Sequence, residues 1–424
     1  MKIKTYTDLK YKPTRNDLIT EYYLEPRKGI SFEKAANHAA AESSIGTWTG
    51  ISTLNKEIAR KLRPSIFKIN KKQGIIKIAY NQEIFEPGNM PQILSSIAGN
   101  LFGMKDVANI RLLDIEFPKK LVESFKGPRH GIKGIRKLTK IAKRPLIGTI
   151  VKPKVGLNEK AHAKVAYEAW VGGLDVVKDD ENLSHLSFNK FNKRITETLK
   201  LRDKAEKETG EKKIYMPNIT AETFEMLKRA KHVKKQGGEY VMVDILTSGF
   251  SALQTVRNNV SQIIHAHRAG HAAVTRYQRH GISMLTLAKC ARLIGVDQLH
   301  IGTAFVGKMA ESKNDTLEIE EDMEKEFITE KGHVLEQKWY NIKPTLAVAS
   351  GGLHPGSIPK LVQYMGKNIV MQFGGGCHWH PKGTRYGAMG IRQGTDAIMK
   401  NIPFKEYMKT HQELKDAIKK YGIT

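Results

Sequence analysis

The chain has 424 residues, 40% hydrophobic and 27% charged, with 36 Gly and 15 Pro; this is a globular balance that excludes disordered, collagenous and low-complexity classes. Cys290 and Cys377 are too few for a disulfide framework and lack the paired spacing of a structural zinc site, so a reducing cytoplasm is expected. Lys+Arg 70 against Asp+Glu 43 gives +27 and raises nucleic acid as a partner, but the lysines lie in scattered pairs such as Lys71-Lys72 and Lys234-Lys235; a solvated basic surface without a nucleic-acid partner is the expectation. No window approaches the roughly 20 apolar residues that span a bilayer, and no apolar leader opens the chain, so no membrane association is expected.

The length predicts two domains. In chain order, a strand is predicted over 18–24, a helix over 31–41, strand-like sequence over 66–80 and a helix over 91–98, a small α+β (ferredoxin-like) N-terminal domain occupying 1–125. From about residue 145, β-branched runs alternate with amphipathic stretches. Strands are predicted over 146–151, 174–177, 214–216, 240–245, 262–266, 298–301, 345–349 and 369–373. Eight such pairs suit a C-terminal (β/α)8 TIM barrel over 126–402, with a doubly wound open sheet as the alternative. The Glu- and Lys-rich stretch 311–336 reads as an exposed helical insertion between units six and seven, and 403–424 as a tail of short helices.

In a parallel barrel, functional groups sit on the loops after the strands. Strand one runs into Lys152-Pro-Lys154, strand two into Lys178-Asp-Asp180-Glu181-Asn182, strand three into Asn218, strand five into His265-Ala-His267-Arg268, strand six into His300 and Gly307-Lys308, strand seven into Ser350-Gly351-Gly352 and strand eight into Gly374-Gly375-Gly376. A lysine among three carboxylates after an apolar strand crowds charge where burial is expected. Mg²⁺, which prefers carboxylate oxygens and water, would relieve it. An isolated tetrapeptide of this kind is more often a solvated acidic turn with a salt-bridged lysine; its place at a barrel strand end reverses that weighting. Paired glycines after strands seven and eight suit backbone N–H binding of phosphate, and Lys152, Lys154, Arg268 and Lys308 suit a substrate with more than one phosphate. His267 and His300 lie at the barrel mouth, whereas His271 reads as structural and Cys290 as core.

These motifs resemble those of ribulose-bisphosphate carboxylase/oxygenase (RuBisCO) large chains. The resemblance rests on Gly172-Gly-Leu-Asp-Val-Val-Lys178-Asp-Asp-Glu-Asn182, Ala40-Ala-Glu42-Ser-Ser-Ile-Gly-Thr47-Trp48-Thr, Gly99-Asn100-Leu-Phe-Gly103, Lys152-Pro-Lys154, His267-Arg268, Gly307-Lys308-Met and Ser350-Gly-Gly-Leu-His354-Pro, in family order from about Tyr6 to Tyr421. His265-Ala-His-Arg-Ala-Gly-His271 and Gly295-Val-Asp-Gln-Leu-His300 are most similar to the archaeal form III enzymes.

The resemblance implies a magnesium-dependent carboxylase and oxygenase that adds CO2 to the enediolate of ribulose 1,5-bisphosphate and yields two 3-phosphoglycerates, in nucleoside monophosphate salvage. It implies that Lys178 takes up an activating CO2 as a carbamate, that this carbamate holds Mg²⁺ with Asp180 and Glu181, and that it is the base at carbon 3. Lys152 would be the acid/base at carbon 2, with Lys154 lowering its pKa, and Lys308 with His267 would stabilise the new carboxylate. Arg268 and His300 would bind one phosphate; Thr47, Trp48, Gly351, Gly352, Gly374 and Gly375 would lie about the other, and Ser350 would hold a sugar hydroxyl. Glu42, Thr47, Trp48 and Asn100 would complete the active site of a neighbouring subunit, making a homodimer the minimum unit, or a larger oligomer of dimers.

A RuBisCO-like enolase or isomerase of sulfur salvage is the alternative, and retention of Lys152, Lys178, Asp180, Glu181, His267 and Lys308 counts against it. The loop after strand six departs from the family pattern at Phe305 and lacks the usual Glu-Gly after Lys308, and Trp379 stands where glycine is usual.

Overall fold

The computed structural model describes residues 3–46, 50–309 and 311–424. The chain forms two compact units that are interleaved in sequence: Met1–Gly127 with Gly270–Ile294 and Lys325–Ile342, and Pro128–Ala269 with Gly295–Glu324 and Lys343–Thr424.

The first unit carries strands Asp17–Pro26, Ser65–Asn70, Ile75–Asn81 and Val107–Glu116 and helices Phe32–Glu42 and Met90–Ile97. With Val107–Glu116 beside Asp17–Pro26, then Ile75–Asn81 and Ser65–Asn70, all antiparallel, this is the ferredoxin-like βαββαβ order. The 66–80 stretch, read as continuous strand-like sequence, is a hairpin turning at Gly74, whose φ of +70° suits glycine. A Cβ there would meet the Leu24 carbonyl at 2.9 Å. Strand Val107–Glu116 was not anticipated, because Asn109, Arg111 and Asp114 break the apolar alternation.

Two segments that the linear division 1–125, 126–402, 403–424 allots to the barrel group with this first unit. Gly281–Ile282 pairs in parallel with Val107–Glu116. In the next helix, Met284–Ile294, Lys289 is fully buried and donates to Asp114 Oδ2 at 2.7 Å and to the Ile115 carbonyl at 3.0 Å. A buried ammonium needs such partners, and they are on this sheet.

The second unit is the eight-stranded parallel barrel. Its strands are Leu146–Ile150, Val176–Lys178, Ile214–Met216, Tyr240–Asp244, Ile263–His267, Gln298–His300, Leu346–Ser350 and Ile369–Phe373, all eight of the predicted strands to within two residues at each boundary. Pairing runs three-two-one-eight-seven-six-five-four, and a bridge between Asn218 and Met242 links strands three and four. Most of the strands read as largely apolar runs because both faces are covered.

Along the barrel axis, polarity is graded. At the strand starts Leu146, Val176, Ile214, Tyr240, Ile263, Leu346 and Val370 form an apolar cluster plugged by Ile135 of helix Gly131–Thr139. The strand ends carry Lys178, Asp244 and His267.

The 311–336 stretch is not an exposed insertion. Helix Lys313–Glu324 buries Thr316, Ile319, Glu320, Asp322 and Met323, which makes it a packed barrel helix, and 325–342 then belongs to the first unit. Its charged composition hid a buried face. The tail forms helices Phe404–Tyr407 and Gln412–Tyr421.

Candidate active site

Strand two ends on Lys178, which is 1% exposed. Its Nζ donates to the Asp179 carbonyl at 2.8 Å and lies 3.5 Å from Glu181 Oε2 and 3.1 Å from Met242 Sδ. Burial pushes the amine below its ordinary value, and Glu181, Asp244, Asp180 and Asp179 oppose that shift. A lysine so placed is closer to the neutral, nucleophilic form than a surface lysine.

The three carboxylates next in the chain are not equivalent. Asp179 is buried and takes Arg194 Nε at 3.1 Å, the Tyr215 hydroxyl at 2.6 Å and the Asn218 N–H at 3.0 Å. Burial would raise its pKa, but Arg194, His162 and Tyr215 outweigh it and hold the carboxyl well below its ordinary range, so Asp179 is a structural anion. Asp180 accepts from Lys152 Nζ at 2.7 Å on Oδ2 and from the Asn182 side chain at 2.9 Å on Oδ1. Glu181, a quarter exposed, lies 3.7 Å from His267 Nε2. For both, burial is outweighed by neighbouring donors and cations, so both are held ionised.

Strands four, five and six complete this wall. Asp244, the last residue of strand four, holds His267 Nδ1 at 2.8 Å, which leaves Nε2 facing Glu181. The His267 and His300 rings meet edge to face with centroids 4.7 Å apart. His300 Nε2 lies 2.9 Å from His265 Nε2, and His265 Nδ1 lies 2.8 Å from Gln298 Oε1. Burial drives His265 down to about 3 and His300 well below its ordinary value, so both are neutral at physiological pH. Asp244 was missed in the sequence, and His265, seen at the end of strand five, was given no role. Asp244 had a signal, an acid closing the apolar run Tyr-Val-Met-Val.

The glycine loops fit closely. Lys308 N–H donates to the Gly351 carbonyl at 3.0 Å, and a Cβ on Gly352 would lie 2.6 Å from Lys308 Cγ, so the strand-six and strand-seven loops touch only because Gly352 lacks a side chain. Gly374 and Gly375 open the short helix Gly375–His378, and a Cβ on Gly375 would meet nothing within 4 Å. Lys152 stands beside this loop, its Cε 3.5 Å from where a Gly374 Cβ would lie. Ser350 ends strand seven. Trp379 is 68% exposed with Lys420 Nζ 3.8 Å above its ring, so the bulky residue in this loop points outward.

Lys154 is exposed. Glu42 and Asn100 belong to the first unit, where Asn100 Nδ2 donates to Glu42 Oε1 at 2.9 Å. Thr47 and Trp48 lie outside the described residues. His271 bonds Thr275 at 2.9 Å and Cys290 is fully buried, consistent with structural roles. Among the described residues no group of three or more His, Cys, Asp and Glu side chains is arranged to hold a metal, and no helix is long and apolar enough to cross a membrane.

A model of the ribulose bisphosphate carboxylase large chain catalytic domain matches residues 131–421, and one of its N-terminal domain matches residues 5–121. The ribulose bisphosphate carboxylase of Methanosarcina mazei is 50% identical over 424 residues, covering 99% of each chain. The structure of a dimeric archaeal Rubisco from Hyperthermus butylicus matches with a TM-score of 0.93 at 42% identity, over 99% of each chain. That of an octameric enzyme from Pyrococcus horikoshii, in complex with sulfate ion, matches with a TM-score of 0.91 at 44% identity, over 98% of this chain and 96% of that one. With both domain models matched in order and relatives similar from end to end, the chain belongs to the ribulose bisphosphate carboxylase large chain family.

Proposed function

We propose that the protein is a ribulose-1,5-bisphosphate carboxylase, with oxygenase activity, adding CO2 to the enediolate of the bisphosphate to give two 3-phosphoglycerates. The observation that carries the reading is the cluster at the ends of strands one, two, four and five: buried Lys178 beside Asp180 and Glu181, Lys152 on Asp180, and His267 on Asp244. The donor set fits Mg²⁺ once Lys178 is a carbamate. Two carboxylates alone leave the set short, and a carbamate supplies a third anionic oxygen of the type a hard cation accepts. When bound, Mg²⁺ supplies Lewis-acid polarisation of the ketose carbonyl.

The chain's own groups do the rest. The Lys178 amine, shifted toward its neutral form by burial, attacks an activating CO2, forming an N–C bond and releasing a proton. The carbamate removes the proton at carbon 3. Lys152, fixed by Asp180, exchanges a proton at carbon 2. His267, its Nδ1 facing the Asp244 carboxylate, presents Nε2 toward the new carboxylate, and Lys308 adds a cation there. Arg268 and His300 bind one phosphate. Gly351, Gly352, Gly374 and Gly375, with Thr47 and Trp48, bind the other, while Ser350 holds a hydroxyl and Lys154 adds positive charge near Lys152. Glu42 and Asn100 act in a neighbouring subunit of a homodimer or an oligomer of dimers. Resemblance to archaeal form III chains supports a cytoplasmic enzyme fed by nucleoside monophosphate salvage.

The test is incubation with ribulose bisphosphate, Mg²⁺ and labelled bicarbonate. Acid-stable label in 3-phosphoglycerate is expected. Folded protein that yields no label but turns over a sulfur-salvage enolate would replace this reading with the enolase or isomerase.

A further inference from the structure

Arg268 comes directly after strand five and is 6% exposed, so its guanidinium is a buried charge that must be neutralised. The neutralising group is Glu311, whose Oε1 lies 2.5 Å from Arg268 Nη2. Glu311 stands three residues beyond Lys308 on the loop after strand six. The fit is local and built. Gly302, at φ +113°, lies against the pair, and a Cβ there would be 3.4 Å from Arg268 Nη2, 3.6 Å from Glu311 Cβ and 3.1 Å from Thr316 Oγ1. The pair nevertheless leaves Arg268 incomplete. Nη1 is buried without a hydrogen-bond partner, although a guanidinium is a planar fork suited to two oxygens of one anion.

We infer that Glu311 is a specificity-determining residue, an internal carboxylate that competes with a substrate phosphate for Arg268. This rests on the reading of Arg268 as a phosphate-binding group. A carboxylate using one edge of the fork is a weaker partner than a phosphate using both, so a phosphate ester displaces it, whereas anions lacking that geometry do not. The exchange keeps the buried charge neutralised throughout and sets a threshold for occupancy, since apparent affinity is reduced by the fraction of molecules in which Glu311 holds Arg268.

The experiment measures the dissociation constant for inorganic phosphate and the melting temperature of the full chain and its variants, with ribulose bisphosphate kinetics alongside. Glu311→Gln is expected to bind inorganic phosphate about tenfold more tightly, to melt lower without phosphate and to regain the loss with it. Its KM for ribulose bisphosphate should fall with kcat retained. Glu311→Asp, whose shorter carboxylate reaches less well, should tighten binding by a smaller factor and serves if the glutamine variant does not fold. Asp315→Asn removes the same charge from a nearby exposed position and should leave the affinity within about twofold, because exposed charges are screened. Unchanged or weaker phosphate affinity in both Glu311 variants overturns the inference. Because phosphate binding is read without turnover, a protein that shows the tightening but fixes no CO2 would refute the proposed reaction and leave the competition intact.

Discussion

The two ends of the barrel use carboxylates in opposite ways. At the strand starts, Asp175 receives Arg144 through both terminal nitrogens, at 2.6 and 2.7 Å, and the Ile147 N–H at 2.9 Å. Asp297 receives the backbone N–H groups of His130, Gly131 and Ile264 at 2.7 to 3.0 Å and Arg257 at 3.0 Å. These donors are arginines and peptide groups, which do not titrate and hold fixed geometry. At the strand ends, Asp180 and Glu181 face lysines and a histidine, groups that gain and lose protons or carry new bonds. Burial at one end is spent on rigidity and at the other on reactivity.

Mutations should separate the two ends. The largest expected effect is on activity: Lys178→Ala should lower carboxylation by about 10⁴-fold, the upper range for a positioned base, with a smaller loss of melting temperature than Asp297→Ala, because the amine it removes is itself desolvated. Asp297→Ala should do the reverse. Stranding the buried Arg257 guanidinium is expected to cost about 3–5 kcal/mol in a denaturant titration, with activity per folded molecule retained. A stability loss in Lys178→Ala equal to that of Asp297→Ala would erase the contrast.

Smaller changes sharpen it. His267→Ala should reduce kcat by about 10²-fold at unchanged melting temperature, and Asp244→Asn should reproduce part of that loss by releasing the Nδ1 side of the ring. The smallest effect lies on the barrel wall. Burial and the neighbouring Glu324 raise Glu320 to about 8 from an ordinary 4.5. Between those values the folded protein keeps a proton that the unfolded chain releases, so stability falls as pH rises through that window. Glu320→Gln should remove that slope. Its melting temperature should exceed that of the wild type by at least about 2 °C at pH 8.5 and match it near pH 4.5.

The barrel was legible because most strands are short, largely apolar runs buried on both faces, and chain-order alternation of such runs with helices admits few folds. What failed did so where partners are remote in sequence. Helix Lys313–Glu324 looked solvent-exposed because Glu320 and Asp322, both buried, are charged. Lys289 gave no hint that its ion pair, and with it a helix, belongs to the first unit. In the site, local motifs announced Lys152, Lys178, Asp180, Glu181 and His267. Asp244 and the role of His265 were hidden because they are defined by cross-strand contacts, and Glu311 because its partner lies 43 residues away.

The most direct measurement is detection of a ¹³C carbamate after incubation with ¹³C-bicarbonate and Mg²⁺, by NMR on the wild type and Lys178→Ala, with carboxylation measured on the same samples. A carbamate resonance that rises with activity and is missing from the variant is the expected result. Full carboxylation by a wild type without that resonance, or by Lys178→Ala, would contradict the assignment of Lys178 as the carbamylated base.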